Sequence, residues 1–254
     1  MPKFFVLSDI HGFYDEMIEA LNEAGFDENN ENHWIITCGD YTDRGSEPLK
    51  VIRYLRSLPR KVLIKGNHET LLVECCERGE YYSHDISNGT AHTIWDIGFG
   101  YSEDFAEQCV YVLKRLKPFL NSMVNYFETK NYIFVHSWIP LINKDGLPAH
   151  YTRDRKFEFN PNWRNAKQKE WDDAMWGNPW DLAKKGLLPD KTIVFGHFHT
   201  SYPRHKYEGE PEWGDDADFS VYRGDGFIGI DGCTAYTRNV NVLVLDDEFL
   251  EDAQ

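Results

Sequence analysis

Short apolar runs that end in metal-binding types of residue occur five times in this chain, and this recurrence limits the fold more than any other feature. The runs are rich in branched and aromatic side chains, which is typical of buried strands. The run at 4–7 is followed by Asp9 and His11, the run at 34–36 by Asp40, and the run at 62–64 by Asn67 and His68. The run at 132–135 is followed by His136, and the run at 192–195 by His197 and His199. Because open α/β sheets carry their sites at the carboxyl ends of strands, we expect these side chains to meet at one edge.

The spacing of the first three runs predicts strand–helix–strand units. Asp9 and Asp40 are 31 positions apart, and Asp40 and Asn67 are 27 apart, close to the length of such a unit. Residues 14–24 and 47–58, which lie between the runs, have the apolar spacing of helices. The first part of the chain is therefore expected to form a βαβαβ arrangement with parallel strands, and the predicted fold class is α/β.

The rest of the chain is predicted to complete a single domain over residues 1–254. Residues 70–130 have mostly helical periodicity, with the last helix ending near Pro118, and form a helical cover. Residues 143–225 form a loop-rich cover. The pattern then returns to strands at the end of the chain, where the final apolar run is expected to form a closing hairpin or an edge strand.

Two features of the loop-rich cover have a structural interpretation. Its tryptophans are expected to anchor the loops by packing rather than to bind a ligand. These tryptophans are Trp163, Trp171, Trp176 and Trp180. The segment 208–218 contains six acidic residues and is predicted to be a solvated surface insertion.

The composition excludes several classes of protein. The net charge of −15, from 27 basic and 42 acidic residues, disfavours non-specific binding to nucleic acid or to an anionic membrane. The five cysteines include no C-x-x-C pair, which indicates reduced, cytosolic thiols and not disulfides or a thiolate zinc site. The N-terminal apolar run is too short for a signal peptide, and no run approaches the length of a membrane span. We expect a cytoplasmic location without nucleic-acid or membrane partners, and the oligomeric state stays open.

Each polar block is a weak signal by itself. The pair Asp9 and His11 arises often by chance, and residues 39–45 alone are compatible with a surface turn whose charges are solvated. A single histidine at a strand end is more often a core or surface residue than a ligand. Five such blocks in order, each after an apolar run, make chance agreement negligible. Strand alternation also predicts that His197 and His199, which flank one apolar residue, point the same way.

In this order the blocks resemble the calcineurin-like metallophosphoesterase superfamily and, within it, the phosphoprotein phosphatase family, over nearly the whole chain. Residues 39–45, Gly-Asp-Tyr-Thr-Asp-Arg-Gly, match the second block of that family, and residues 66–69, Gly-Asn-His-Glu, match its third. The adjacent Asp43 and Arg44 distinguish this family from the broader superfamily. The resemblance implies a fold of central, mixed β-sheets that form a two-layer sandwich flanked by helices.

The ligand types predict two metal ions. Carboxylate, imidazole and amide ligands without thiolates suit a hard-to-borderline divalent ion, with Mn expected and Fe or Zn as alternatives. Six or seven such ligands exceed one site, so two ions that share a carboxylate are the economical arrangement, and Asp40 is the natural bridge. The resemblance completes the first site with Asp9, His11 and, as in the wider superfamily, His199, and the second with Asn67, His136 and His197.

The resemblance also implies a mechanism in which a metal-bridging hydroxide attacks phosphorus in line with the ester oxygen. Arg44 would clamp the phosphate oxygens, and Asn67 would lie beside the substrate. His68 would protonate the leaving oxygen, with Asp43 orienting the imidazole and keeping it cationic. Cys38 lies within a predicted strand and is not expected to act as a catalytic thiol.

One element of the family pattern is missing. The family usually supplies a second phosphate-binding arginine between its third and last histidine blocks. Residues 176–179, Trp-Gly-Asn-Pro, resemble a landmark of that segment, but no arginine follows them before His197. The candidates left open are Arg153, Arg155, Arg164 and Lys184.

Three functional hypotheses follow. The preferred one is a serine/threonine protein phosphatase that acts on a phosphorylated protein or a small phosphorylated substrate. The alternative is a hydrolase of diadenosine tetraphosphate or a related nucleotide polyphosphate, because both reactions use the same two-metal attack. A catalytically silent metal-binding interaction module is the third, and the retention of Asp43 and His68 argues against it.

Overall fold

Two β-sheets packed face to face form the centre of the molecule. The computed structural model describes residues 1–145 and 156–250. Its strands are β1 (Lys3–Leu7), β2 (His33–Cys38), β3 (Lys61–Ile64), β4 (Tyr126–Glu128), β5 (Tyr132–Val135), β6 (Ile142–Asn143), β7 (Phe157–Glu158), β8 (Thr192–Phe195), β9 (Tyr222–Gly224), β10 (Phe227–Gly229) and β11 (Leu243–Asp246). Its helices are α1 (Tyr14–Glu23), α2 (Pro48–Ser57), α3 (Asn67–Arg78), α4 (Ser83–Asn88), α5 (Thr90–Gly98), α6 (Phe105–Leu120), α7 (Gln168–Ala174), α8 (Pro179–Lys184), α9 (Ser201–Pro203) and α10 (Thr234–Thr237).

Both sheets have parallel strands at their centres, with one antiparallel edge strand in the first sheet and two in the second. The first has the order β11-β1-β2-β3, with β1, β2 and β3 parallel and β11 antiparallel to β1. The second has the order β4-β5-β8-β10-β9, with β5, β8 and β10 parallel. The βαβαβ unit and the mixed α/β class are thus confirmed. The final apolar run forms the edge strand β11, whereas the hairpin of the second sheet joins β9 to β10.

Alternation along β1 shows how the layers are built. Phe4 and Val6 pack between the two sheets, whereas Phe5 and Leu7 pack against the helices on the outer side. The inter-sheet layer also contains Phe134 and Val194 from the second sheet. Each central strand is therefore buried on both faces, which explains why the sequence shows continuous apolar runs instead of alternating ones.

Helices cover the outer face of the first sheet. The start of α2 at Pro48 suits proline, whose missing N–H is not needed in a first turn. The last helix of this cover was predicted to end near Pro118, but α6 continues for two more residues, to Leu120. Asn121 N still donates to Lys117 O at 2.9 Å, so the proline removes one donor without ending the turn. None of the described helices has the length and apolar character needed to cross a membrane.

Tryptophans anchor the outer face of the second sheet. Trp163, Trp171 and Trp180 are buried in one apolar cluster with side chains of β5 and β8. The ring of Trp171 stacks on that of Tyr126 with 5.1 Å between centroids. Trp163 meets the same tyrosine edge-on, with 5.0 Å between centroids. This supports the packing interpretation of these residues, while Trp176 is half-buried. Helices α7 and α8 give this cover more regular structure than the sequence predicted.

Candidate metal centre

The predicted ligands gather at one edge of the sandwich. Asp9 and His11 follow β1, and Asp40 follows β2. Asn67 opens α3 directly after β3, and the second sheet supplies His136 after β5 and His197 after β8. Five of these six residues are buried and His197 is half-buried.

Asp40 lies at the centre of the group. Its Oδ1 is 3.5 Å from Nε2 of His136, and its Oδ2 is 3.7 Å from Nε2 of His11 and 3.9 Å from Nε2 of His68. These distances exceed those of hydrogen bonds but suit atoms that share an ion at about 2.0–2.2 Å from each. Burial opposes ionisation of Asp40, but the imidazoles of His136, His68 and His11 outweigh burial and hold the pKa of this carboxyl below its usual value.

Backbone carbonyls orient two of the imidazoles. Nδ1 of His11 lies 2.9 Å from the carbonyl oxygen of Thr42, and Nδ1 of His136 lies 2.7 Å from that of Cys38. Because Nδ1–H donates in each pair, Nε2 is left with its lone pair facing Asp40. Burial lowers the pKa of His11 well below its ordinary value, which favours the neutral ring that binds metals.

A second set of donor atoms converges beside the first. Asn67 Oδ1 lies 2.7 Å from Nε2 of His136 and 3.1 Å from Nδ1 of His197, and those two nitrogens are 3.1 Å apart. Burial, with the charge of His136, lowers the pKa of His197 to about 3. Among the described residues, two groups have ligand atoms within 4.8 Å of one another, and both contain Asp40. The groups are His11, Asp40 and His68, and Asp40, His136 and His197.

Asp9 joins this centre through the backbone of the last block. Its Oδ2 accepts a hydrogen bond from His197 N at 2.9 Å. Burial, together with the negative charge of Asp40, raises the pKa of Asp9 to about 7. Two carboxyl groups enclosed this closely need a positive partner, so the donor set fits divalent ions.

Two glycines make room for the carboxylates. A Cβ on Gly66 would lie 2.1 Å from Asp40 Oδ1, and one on Gly196 would lie 2.2 Å from Asp9 Oδ2. Any larger residue at either position would push the carboxylate away. These glycines of the third and last blocks are therefore required by the site and not only by the turns.

The site is built on unusual backbone conformations. Among the described residues, eight non-glycine residues have positive φ, and six of them are predicted site residues. The six are Asp9 (51°), His11 (49°), Asp40 (59°), Asp43 (72°), Arg44 (61°) and His197 (68°). Such conformations persist only when the surrounding fold enforces them, and they concentrate at functional sites.

The predicted acid and its partner are in contact. Nδ1 of His68 lies 2.7 Å from Oδ2 of Asp43, and Nη2 of Arg44 lies 3.4 Å from Nε2 of His68. Burial disfavours the charged form of His68, but Asp40 and the hydrogen bond to Asp43 outweigh it and raise the pKa of the imidazole. Asp43 is buried, whereas Arg44 is exposed and open to a substrate.

Sequence reasoning assigned no role to three residues that organise these groups. The Glu69 carboxylate accepts hydrogen bonds from the backbone nitrogens of Asp40, Tyr41 and Gly66 at 3.0 to 3.1 Å. Thr90 and Thr93 of α5 donate to the Asp43 carboxylate. The matched Gly-Asn-His-Glu block was a signal for Glu69, but no motif marks the two threonines.

The structure does not bring His199 to the other ligands. Its Nδ1 lies 2.9 Å from Ser201 Oγ, and its Nε2 is 3.6 Å from Glu212 Oε1. The expected common direction of His197 and His199 depended on an extended chain. His197 instead has φ 68°, and Phe198 N donates to Gly196 O at 2.8 Å, so the chain turns at this block.

The acidic segment 208–218 packs beside His199 at the surface. Trp213 lies 4.7 Å from the His199 ring and 5.2 Å from Tyr236, measured between ring centroids. Trp213 and Tyr236 are each about half exposed, and Asp215 and Asp216 beside them are exposed. The predicted insertion is therefore at the surface, and it covers one side of the turn that carries His197.

The candidates for a second phosphate-binding cation differ in their surroundings. Arg164 makes a bidentate pair with Glu128 at 2.8 and 2.9 Å and a further pair with Asp190 at 2.8 Å. Lys184 lies over the ring of Tyr207 at 4.6 Å. Arg153 and Arg155 lie outside the described residues.

Comparison with known proteins matches the chain to a family model and to individual curated proteins. The family model described as calcineurin-like phosphoesterase matches residues 2–201, which is most of the chain. A symmetrical bis(5'-nucleosyl)-tetraphosphatase of Buchnera aphidicola subsp. Schizaphis graminum is 41% identical over 72 residues, covering 28% of this chain and 26% of the relative. The same enzyme of Klebsiella pneumoniae (strain 342) is 39% identical over 70 residues, covering 27% and 24%. The chain thus spans about a quarter of the length of the curated relatives it matches.

Solved structures share the fold over nearly the whole chain. A protein provisionally described as a diadenosine tetraphosphatase has a TM-score of 0.56 at 15% identity, covering 96% of this chain and 91% of its own. A cold-active protein-tyrosine phosphatase of Shewanella has a TM-score of 0.54 at 14% identity, covering 97% and 76%. A serine/threonine phosphatase of Saccharomyces cerevisiae has a TM-score of 0.51 at 12% identity, covering 99% and 82%. At these identities the likeness concerns the fold.

Proposed function

Because the chain belongs to the calcineurin-like phosphoesterase family, we propose that it is a two-metal phosphatase of the phosphoprotein type that hydrolyses phosphoric monoesters. One observation carries the proposal. Asp40 faces imidazoles from both sheets, and the His68–Asp43 pair and Arg44 lie beside it. Ligands, acid and phosphate-binding cation are thus adjacent, which is what hydrolysis of a phosphate ester requires.

Asp9, His11, Asp40, Asn67, His136 and His197 would hold two divalent ions, Mn in the first instance and Fe or Zn as alternatives. Asp40 would contact both ions, since its two oxygens face different histidines. When bound, such a pair supplies a hydroxide at neutral pH and neutralises the charge of the phosphoryl oxygens. His199 is left out of this set because its ring contacts Ser201 and the acidic segment.

The side chains of the chain itself would handle the substrate. Arg44, which is exposed beside His68, would bind two phosphoryl oxygens through its planar guanidinium. His68 would donate the proton on Nε2 to the departing ester oxygen. Asp43 holds Nδ1 of that ring at 2.7 Å and so favours the protonated form until transfer.

Charge favours a phosphoprotein as substrate. The chain carries a net charge of −15, and the exposed Asp215 and Asp216 lie on the side of the site next to His199. A tetraphosphate would meet like charge there. A phosphoserine or phosphothreonine flanked by basic residues would be attracted, and Trp213 and Tyr236 offer aromatic faces for such cations.

The second candidate is hydrolysis of diadenosine tetraphosphate. The names of the curated relatives favour it, although the matched stretch is about a quarter of their length. The same residues would serve that reaction, with a phosphoanhydride oxygen as the leaving atom. The two candidates therefore differ in what the cover recognises and not in the metal centre.

One assay distinguishes these possibilities. Protein purified with Mn²⁺ is given a phosphothreonine peptide with basic flanks, the same peptide with acidic flanks, and diadenosine tetraphosphate. Asp40→Asn serves as the inactive variant and Asp15→Asn, at an exposed position of α1, as its charge-matched control. We expect the basic peptide to be hydrolysed fastest and Asp40→Asn to be inactive. Preference for the dinucleotide would replace the first candidate by the second, and hydrolysis of no substrate by metal-loaded protein would contradict both.

A further inference from the structure

We infer that Thr90 and Thr93 of α5 are positioning residues for the acid pair His68–Asp43. The inference rests on the proposed function for its catalytic consequence, but its structural part stands on contacts alone. These threonines belong to the helical cover, outside every block that carries ligands. Their role would make the cover part of the acid machinery and not only a lid.

Both hydroxyls reach the Asp43 carboxylate. Thr90 Oγ1 donates to Oδ2 at 2.6 Å, and Thr93 Oγ1 donates to Oδ1 at 2.9 Å. The direction of the second bond is fixed because a carboxylate oxygen can only accept. Thr93 Oγ1 also accepts from the backbone nitrogen of Asp43 at 3.0 Å. Each carboxylate oxygen therefore has its own hydroxyl donor, and the plane of the carboxylate is set by the helix.

The burial of the cluster makes these donors important. Asp43, Thr90 and Thr93 are each 0% exposed, so water cannot replace a lost hydrogen bond. With the hydroxyls present, Oδ2 is shared between Thr90 and Nδ1 of His68, which holds the ring in one orientation. Without them, the carboxylate would have the imidazole as its main partner and would be free to rotate away from it.

The helix is fixed against the same turn by a second contact. Gly89, which precedes α5, has φ +89°, and a Cβ there would lie 2.5 Å from the backbone nitrogen of Arg44. The start of α5 therefore rests directly on the Asp43–Arg44 turn. A displacement of α5 would move the acid pair and the phosphate-binding arginine together.

The test compares variants of equal shape with and without the hydroxyl. Thr90→Val and Thr93→Val remove the donors, Thr90→Ser and Thr93→Ser keep them, and Thr129→Val is the control at another threonine with 0% exposure, in the turn after β4. Turnover is measured on an alkyl phosphate, which needs an acid, and on 4-nitrophenyl phosphate, which needs one far less. Bound metal is quantified for each protein.

We expect each valine variant to lose about 10- to 100-fold in kcat on the alkyl phosphate and much less on the activated ester, with metal content unchanged. The serine variants should recover most of the loss, and Thr129→Val should affect both substrates equally or not at all. Equal losses on the two esters, or failure of serine to restore the difference, would overturn the inference.

A spectroscopic measurement decides the structural part without activity. In ¹⁵N-histidine-labelled protein, the Nδ1–H proton of His68 should resonate at low field, assigned by its loss in His68→Asn. That signal should persist in the serine variants and shift or broaden in the valine variants. If the wild-type protein hydrolyses neither ester, the proposed function fails while this readout still tests the inference. An unchanged signal in both valine variants would refute the positioning role.

Discussion

The carboxylate of Glu69 accepts a hydrogen bond from the backbone nitrogen of Asp40 at 3.1 Å, and so the third sequence block holds the turn on which the second block places its central carboxylate. The same side chain binds the backbone nitrogens of Tyr41 and Gly66 at 3.0 Å. Burial, with the charge of Asp40, raises the pKa of Glu69 to about 7. Glu69 therefore joins the ends of β2 and β3 through hydrogen bonds to the backbone.

We predict that Glu69→Gln weakens both stability and metal affinity. An amide cannot accept on both ends, so at least one buried N–H loses its partner, at about 1–3 kcal/mol of unfolding free energy. Metal affinity should fall about 10- to 100-fold, as for other supporting residues of metal sites. Urea unfolding and Mn²⁺ titration calorimetry measure the two effects. Glu74→Gln, at an exposed position of the same helix, is the control, and equal behaviour of the two variants would contradict the assignment.

Metal content should separate the proposed ligands. Wild-type protein is expected to bind two divalent ions by elemental analysis after dialysis, and Asp40→Asn to retain neither tightly, because its carboxylate serves both. His197→Ala should lose the ion of its own group and keep the other. His199→Ala should retain both ions, since its ring contacts Ser201 and not the other proposed ligands. Loss of an ion in His199→Ala would restore the ligand role that the sequence suggested.

Arg164 should contribute to stability and not to phosphate binding. Its guanidinium pairs with Glu128 and Asp190. Its Cζ also lies 4.4 Å from the centroid of the Trp163 ring. Arg164→Ala is therefore expected to lower the unfolding free energy by about 1 kcal/mol and to leave KM for a phosphate ester unchanged. Steady-state kinetics beside chemical unfolding give both values, with Arg223→Ala, at an exposed position of β9, for comparison. A clear rise in KM would make Arg164 the missing clamp.

Asp247 should make stability depend on acid pH. Asn131, in the turn between β4 and β5, donates to its carboxylate from both the backbone nitrogen at 3.0 Å and the side chain at 2.6 Å. Burial opposes ionisation of Asp247, but hydrogen bonds from Thr129 and Asn131 outweigh it and lower its pKa. A lowered pKa in the folded state contributes stability above the unfolded value of about 3.9 and loses it as pH falls through the folded value.

Asp247→Asn should therefore reduce the unfolding free energy by about 1–3 kcal/mol at pH 7, with a smaller difference from wild type near pH 3. Denaturant unfolding at both pH values tests this. Asp246→Asn, at the exposed neighbouring position, should change neither. A difference that stays constant between the two pH values would show that the charge of Asp247 is not the cause.

Replacing Arg44 by glycine should raise the stability of the fold and abolish activity. Its φ of 61° is unfavourable for arginine, whereas aspartate and histidine tolerate this region better. Arg44→Gly is expected to raise the unfolding free energy by about 0.5–1 kcal/mol while removing activity. Arg44→Ala should lose activity without the gain, because it keeps the Cβ. A thermal unfolding series on the metal-free proteins compares them, and equal stability of the two variants would contradict the strain argument.

Much of the site could be predicted because it follows directly from strand ends. Asp9, Asp40 and His136 lie where parallel strands terminate, and parallel strands bring their carboxyl ends to one edge. The same argument predicted the pairing of the first three strands only. Which strands of the second sheet would pair, and that β11 would close the first, depended on contacts between distant parts of the chain.

The remaining site residues could not be inferred for identifiable physical reasons. Thr90 and Thr93 contact Asp43 across 47 and 50 positions, and nothing in their local sequence marks them as polar partners of a buried carboxylate. The expectation that His197 and His199 point the same way used strand alternation where the chain is no longer extended, because His197 has positive φ. Alternation holds within a strand and ends with it.

The division of the ligands between the sheets has a consequence for the whole molecule. Asp9, His11, Asp40 and Asn67 come from one sheet, and His136 and His197 come from the other. An ion held between them would act as a reversible crosslink that only the assembled sandwich can form. The free ion concentration would then affect folding, and an ion at a hundred times its Kd would add about 2.7 kcal/mol. During synthesis such a crosslink could form only after residue 197 has emerged, so β1, β2 and β3 would leave the ribosome well before it. A chelator applied to the finished protein would remove this crosslink and leave the apolar layer between the sheets to hold them together.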